Sequence, residues 1–156
     1  MRKTGDWKKF MAMMESANQS IERNAKKELH GVAEKVRFSM VTGITTERFE
    51  FAPNAPSTIE KKGSSTPLVD DGDLVGSIDT HDMDGKGYLV GAHRTAKDRE
   101  GNKLANIFAI LTYGVNKIAR NGRRMNIPAR DAISPSLKEN EDEFKEVGKR
   151  IIQKSF

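Results

Sequence analysis

The chain has 156 residues, the length of one ordinary domain, and its 36% hydrophobic and 31% charged residues make it polar for a folded protein. Its formal net charge of +5 favours a polyanion such as DNA as a partner, although basic small domains are common. The absence of cysteine excludes disulfides and thiolate chemistry. Because no long apolar run is present, we expect no signal sequence and no membrane span.

The first predicted element is one long helix from residue 6 to about residue 41, with Asp6 as its N-cap and Gly43 as its stop. Its apolar residues recur at steps of three or four and form one stripe: Trp7, Phe10, Met11, Met14, Ala17, Ile21, Ala25, Leu29, Val32, Val36 and Met40. Such a helix is roughly 50 Å long, more than a domain of this size can cover, so part of it is expected to pack on another molecule. For its methionine-rich start, a core position is favoured over a partner surface.

The next part of the chain is predicted to combine long loops with short strands. Residues 44 to 72 contain prolines, glycines and a Ser/Thr cluster, which predicts an extended loop with turns. Leu74 to Ile78 is interpreted as a short strand or a helical turn. Tyr88 to Gly91 is interpreted as a strand that follows a turn over Asp84 to Gly87.

A short helix is predicted from Leu104 to Tyr113, ending at Gly114, with a buried strand as the alternative. A basic turn over Arg120 to Arg124 then leads into a short strand at Met125 to Ile127. Pro128 stops this strand, because proline cannot donate to a strand ladder.

The final helix is expected from about Ser136 to Lys154, with Ser134 and Pro135 at its N-cap and first turn. The fold is therefore predicted to be α+β: a long N-terminal helix, a small antiparallel sheet with long loops, a short middle helix and a C-terminal helix. A single domain of residues 1–156 is expected, made of the N-terminal helix (1–43), a loop and sheet region (44–135) and the C-terminal helix (136–156).

Charge is distributed unevenly along the chain. An acidic block without Lys or Arg holds Asp70, Asp71, Asp73, Asp79, Asp82 and Asp84, and a basic block runs from Arg94 to Arg130. Two solvated loop regions would account for this pattern. The alternative is that the acidic block of one subunit faces the basic block of its neighbour in a ring, which would steer and orient assembly.

The sequence contains no motif for catalysis or metal binding. His30, His81 and His93 lack metal-ligand spacing, so packing or surface roles are favoured. A calcium-binding EF loop that starts at Thr80 is rejected, because its twelfth position holds Gly91 instead of glutamate. The aspartates around Gly72 are interpreted as turn residues. We therefore expect a protein that is not an enzyme and has no catalytic residue, cofactor or metal.

The middle of the chain carries a distinctive ordered series of residues. The series comprises Pro53, Pro56, Ser57, Thr58, Ile59, Lys62 and Gly63, then Pro67, Leu68, Val69, Asp70, Gly72, Asp73, Leu74, Ser77 and Ile78. Shorter elements follow at Tyr88 to Gly91, Ile110 to Gly114 and Ile127 to Arg130. Over roughly residues 50 to 137 this order resembles the virion morphogenesis and tail-completion proteins of tailed phages, which include minor tail proteins at the head–tail joint.

The resemblance implies a structural subunit of a phage neck or tail terminus, which completes the tail and joins it to the head connector around the DNA channel. Its expected partners are further copies in a hexameric ring, tail-tube proteins and head-connector proteins, with contact to packaged DNA left open and no membrane. Its expected location is the virion, after assembly in the host cytoplasm. The candidate interface residues are Pro53, Pro56, Asp70, Asp73, Arg120, Arg123, Arg124 and Arg130.

Each candidate residue has a physical rationale. Pro53 and Pro56 stiffen an extended segment and so lower the entropy lost on docking. Asp70 is suited to accept backbone hydrogen bonds in the turn before Gly72. The basic residues face either DNA or an acidic neighbour, and the neighbour is favoured because a lumen that binds DNA strongly would hinder ejection. For each residue, maintenance of the fold explains the pattern at least as well as a binding role.

Other functions remain as alternatives. The first is a basic nucleic-acid-binding protein of phage origin, although no known nucleic-acid-binding motif is present. The second is a transient morphogenesis factor that is absent from the finished particle. A metal-dependent nuclease that uses the aspartate cluster is the least favoured.

Overall fold

A computed structural model of the chain describes residues 5–69, 71–118, 122 and 124–155, and it confirms the α+β class. The elements are α1 (Trp7–Thr45), α2 (Pro56–Lys62), α3 (Asp73–Gly76), β1 (Ile78–Asp82), β2 (Tyr88–Ala92), α4 (Leu104–Tyr113), β3 (Val115–Ile118), β4 (Arg124–Ile127), α5 (Ile133–Glu139) and α6 (Glu141–Ser155). The strands form two separate antiparallel hairpins, β1–β2 and β3–β4, in place of the single small sheet that the sequence suggested.

Helix α1 begins as predicted but ends later. The Asp6 carboxylate accepts a hydrogen bond from the backbone N–H of Lys9 at 3.1 Å, which confirms the N-cap. Gly43, the predicted stop, lies inside the helix, which continues to Thr45. A Cβ at position 43 would come within 2.1 Å of the Phe49 ring, so glycine is needed here for close packing and not for termination.

The predicted loop over residues 44 to 72 contains a helix, α2, that the sequence analysis missed. Pro56 occupies the first helical turn, where its missing N–H costs no intrahelical hydrogen bond. Of the two interpretations of Leu74 to Ile78, the helical turn is right for α3, and Ile78 then begins β1. Strand β1 lies in the acidic block, which had been interpreted as loop.

The two hairpins differ in their surroundings. In β1–β2, Ile78 pairs with Ala92 and Asp82 with Tyr88, and one face of this hairpin packs against α1. In β3–β4, Val115 pairs with Ile127 at the base, and these strands contact chiefly each other. The strands predicted at residues 88–91 and 125–127 are therefore confirmed, within slightly longer elements.

The core lies where the second half of α1 meets β1–β2, α3, α4 and the start of α5. Its buried members are Met40, Ile44, Leu68, Leu74, Ile78, Ala92, Leu104, Phe108 and Ala132. Helix α4 confirms the predicted middle helix, and Gly114 ends it with φ at +70°. A Cβ on Gly114 would lie 2.7 Å from the carbonyl oxygen of Ile127, so glycine lets the backbone of β4 pass close by.

The C-terminal helix is split in two, unlike the single helix that was predicted. Helix α5 begins at Ile133, where the Asp131 carboxylate accepts hydrogen bonds from the N–H groups of Ile133 and Ser134. Asp131 therefore provides the cap that was assigned to Ser134. The helix is interrupted at Asn140, whose side-chain amide donates to the carbonyl oxygen of Ser136 at 2.8 Å.

Helix α6 runs antiparallel to α1, and polar contacts join it to the middle of α1. Asn24 contacts the carbonyl oxygen of Lys154 at 2.9 Å near one end, and Lys35 pairs with Glu143 at 2.5 Å towards the other. Within the described ranges, no helix combines the length and the apolar character needed to cross a membrane.

Candidate interaction surfaces

Arg130 is a buried structural residue and is only 7% exposed. Its Nε donates to the carbonyl oxygen of Ala52 at 2.9 Å, and its terminal nitrogen donates to that of Pro53 at 3.0 Å. Its backbone N–H donates to the carbonyl oxygen of Leu111 at 2.7 Å. Burial lowers the pKa of the guanidinium from its usual value. The candidate interface role assigned to Arg130 is therefore corrected, because its buried side chain holds the 52–53 segment while its backbone N–H binds the end of α4.

The two candidate prolines lie on the surface beside this fastening. Pro53 and Pro56 are both exposed. Between them, the buried Asn54 side chain donates to the carbonyl oxygens of Ser65 and Thr66, at 3.1 and 3.2 Å. These hydrogen bonds hold the segment against the backbone of residues 65 and 66, and the docking role of the prolines stays a prediction.

The acidic block is divided among several elements. Asp71 and Asp73 lie 3.3 and 3.8 Å from the guanidinium of Arg99, so acidic and basic blocks meet within one chain at this point. Asp82 pairs with Lys26 at 2.6 Å and also accepts from the backbone N–H of Gly85. The bond from Lys26, and after it the bond from Gly85, hold the pKa of Asp82 below its usual value.

One basic candidate, Arg124, lies on the β3–β4 hairpin together with Lys117 of the same basic block. Arg124 is exposed at the start of β4, and Lys117 is exposed on β3. Ile118 and Met125 are exposed apolar residues on the same hairpin. Asp70, Arg120 and Arg123 lie outside the described residues. The hairpin therefore presents basic and apolar side chains together, at a distance from the core.

The first turns of α1 form a surface that the sequence analysis mostly missed. Residues 5–16 are all exposed, with Trp7 at 73% and Met11 at 63%, so the favoured core position for the methionines is wrong. Among described residues, the first hydrogen bond from α1 to another element comes from Asn24. We name residues 7–20 the arm, and Trp7, Phe10, Met11 and Met14 the arm stripe, because these four share one face of the helix.

The excess length of the stripe was the sequence signal for this arm. The prediction that part of α1 packs on another molecule stays a prediction, and the exposed arm is the part of the helix to which it applies. Trp7 and Phe10 contact each other edge to face, with ring centroids 5.9 Å apart, so the two aromatic side chains form one continuous apolar patch.

A second apolar surface lies between α1, β2, α5 and α6. It is a groove of about 280 Å³. Leu29, Val36, Tyr88, Leu137 and Phe144 are among its lining residues. Leu29, Leu137 and Phe144 remain exposed, so the groove is open to a partner side chain. We refer to this surface as the groove.

Two histidines that are distant in sequence approach each other across β1–β2. The rings of His81 and His93 lie 4.8 Å apart, and His81 Nε2 is 3.3 Å from the carbonyl oxygen of Gly91. In the described part of the chain, no three His, Cys, Asp or Glu side chains are grouped so that they could hold a metal ion.

Comparisons of the chain with protein-family models, with curated proteins and with solved structures returned no match.

Proposed function

We propose that the chain is a structural subunit, without enzymatic activity, of a tailed phage's neck or tail terminus. There it completes the tail and joins it to the head connector around the DNA channel. The observation that carries the proposal is the arm stripe, since a small domain that leaves such an apolar patch in solvent gains stability by burying it against another protein. The ordered series over residues 50 to 137 supports this particular assembly.

The positions of the resemblance residues indicate how the chain would do this. Leu68, Leu74 and Ile78 are buried together, and Arg130 fastens the segment that holds Pro53. These residues form the framework of the fold. Contact with partners would then be made by parts outside this framework, namely the arm and the β3–β4 hairpin.

The test is electron microscopy of particles from cells infected with phage that lacks this gene. We expect filled heads and separate tails that fail to join, or tails of uncontrolled length. The wild-type gene and Met13→Ser, which changes an exposed residue outside the arm stripe, should both restore joining, whereas Trp7→Ser/Phe10→Ser should not. Normal, fully joined and infectious particles in the absence of the gene would refute the proposal.

Nucleic-acid binding is a second candidate function, favoured by the exposed Lys117 and Arg124 on the β3–β4 hairpin. If it is right, the purified chain binds duplex DNA with steep salt dependence, and Lys117→Gln/Arg124→Gln lowers the slope by about two. Lys145→Gln/Lys149→Gln on α6 removes the same charge elsewhere and should leave the slope unchanged. Affinity that barely changes with salt would exclude this function.

A further inference from the structure

We infer that the arm of one copy docks in the groove of a second copy, in a head-to-tail contact between identical chains. This contact deepens the proposed function. Only the closed ring rests on that function, whereas docking of the arm in the groove is a property of the purified chain. A head-to-tail contact uses two different surfaces of each copy, and its repetition closes a ring when the rotation between copies allows it.

The first argument is that one chain carries both halves of an apolar contact. The arm stripe offers two aromatic rings and two flexible methionine side chains, which adapt well to an irregular pocket. The groove offers aliphatic and aromatic walls, with Leu137 and Phe144 open to solvent. A single type of partner, a second copy, satisfies both surfaces at once.

The second argument is that the arm cannot reach the groove of its own chain. The arm lies on α1, which also forms one wall of the groove. About twenty residues separate Trp7 from Leu29 of that wall, so a straight helix holds the two residues roughly 30 Å apart. Helix α1 is continuous over this range. The contact must therefore form between molecules.

The third argument is charge. Lys8 lies beside the arm stripe on α1, whereas Glu141 and Asp142 stand in the first turn of α6, beside Phe144 of the groove. Lys145 pairs with Glu141 at 2.8 Å and lies 3.5 Å from Asp142, whose side chain is 97% exposed, so one lysine balances part of the charge of the two acids. An arriving arm would bring Lys8 to this acidic turn, which favours docking and sets its direction.

The fourth argument concerns area. The four side chains of the arm stripe offer on the order of several hundred Å² of apolar surface, below the ~800 Å² per partner of a standard interface. A single contact is therefore weak, and the free chain is expected to be mostly monomeric when dilute. Each copy in a ring makes two such contacts, so association becomes strong once the ring closes.

The experiment measures self-association of the purified chain by analytical ultracentrifugation over a concentration series. Met11→Ser, on the arm stripe, should weaken association at least tenfold. Met13→Ser is its matched control, because the two methionines are 63% and 65% exposed and only Met11 is on the stripe. Equal effects of the two substitutions, or a chain that stays monomeric up to millimolar concentration, would overturn the inference.

Mixing two variants tests the head-to-tail geometry. Trp7→Ser/Phe10→Ser keeps an intact groove, and Leu137→Glu keeps an intact arm. Each alone should be monomeric, and an equimolar mixture should form a dimer that grows no further, because only one productive contact remains. Assembly of Leu137→Glu alone would instead indicate that arms pair with arms, and the inference would be wrong.

The thermal unfolding midpoint of each variant should match that of the parent chain, since the altered side chains are exposed. A monomeric chain that is nevertheless required for head–tail joining would refute this inference and leave the proposed function standing. Self-association through the arm and the groove, in a protein that phage particles do not need, would refute the proposed function and leave this inference standing.

Discussion

Arg130 shows how one residue can hold distant segments together. Its guanidinium donates to the carbonyl oxygens of Ala52 and Pro53, far away in sequence, while its backbone N–H holds Leu111. Carbonyl oxygens can only accept hydrogen bonds. The buried guanidinium donates to both of them, and these bonds need no second charged side chain. A hydrogen bond from a charged donor contributes more to stability than one from a neutral donor.

We expect Arg130→Ala to lower the free energy of unfolding by about 2–3 kcal/mol, because two carbonyl groups lose a charged donor. Arg124→Ala removes the same side chain from an exposed position and should change it by less than about 0.5 kcal/mol. Chemical denaturation measures both. Equal losses in the two variants would show that the hydrogen bonds of Arg130 do not stabilise the fold.

Two glycines of α1 provide a second test at the residue scale. A Cβ at position 43 would overlap the Phe49 ring, whereas a Cβ at Gly31 meets nothing within 4 Å. Gly43→Ala should therefore destabilise the protein by about 1–3 kcal/mol through overpacking. Gly31→Ala should stabilise it by up to about 1 kcal/mol, because alanine favours the helix. Thermal melts that show the same sign for both would contradict this packing.

At the scale of elements, the pairing of α1 with α6 depends on charge. Glu28 on α1 accepts hydrogen bonds from Lys154 at 2.5 Å and from Arg150 at 2.9 Å on α6. The bond from Lys154, followed by that from Arg150, holds the pKa of Glu28 below its usual value. Because the pKa is lower in the folded than in the unfolded chain, ionised Glu28 stabilises the fold.

This stabilisation should be complete at neutral pH. It should fade as the pH falls below about 4.3, the ordinary pKa of glutamate in an unfolded chain. Glu28→Gln should therefore lower the melting temperature at pH 7, and the difference from the parent chain should shrink towards pH 3. Glu60→Gln, on the exposed face of α2, is the control. A difference that is constant with pH would show that Glu28 acts through packing alone.

The sequence pattern was sufficient to predict those elements that are determined by residues close together in the chain. The stripe and Asp6 predicted α1, and Gly114 predicted the end of α4. Strand β1 escaped prediction because its aspartates suit a loop, and pairing with β2 outweighs that preference. The break at Asn140 was missed for a related reason, since it depends on one side-chain bond to a backbone carbonyl.

The candidate site was less predictable than the elements. Nothing near Arg130 in sequence indicates that its acceptors lie at positions 52 and 53. Pro53 and Pro56, named as interface candidates because they stiffen an extended segment, are exposed, and their contact with a partner stays a prediction. The groove could not be predicted, because it is assembled from four elements whose packing only the fold determines.

At the scale of the whole molecule, the folded unit and the arm are separable. Residues 5–16 are exposed throughout, and the core begins in the second half of α1. A chain shortened to begin at Ala17 should keep its thermal midpoint within about 3 °C, since no buried surface is lost. The same chain should fail to self-associate. A large drop in the midpoint would mean that the arm packs on its own domain.

Helix α1 also acts as a rigid rod that extends from the folded unit. It runs without a break from Trp7 to Thr45, roughly 58 Å, and its far end is fixed in the core through Met40 and Ile44. A stiff rod fixed in this way passes on rotation as well as force. A partner that binds the N-terminal end of α1 therefore also determines the orientation of the domain. A tilt of a few degrees at the core displaces that end by several ångströms.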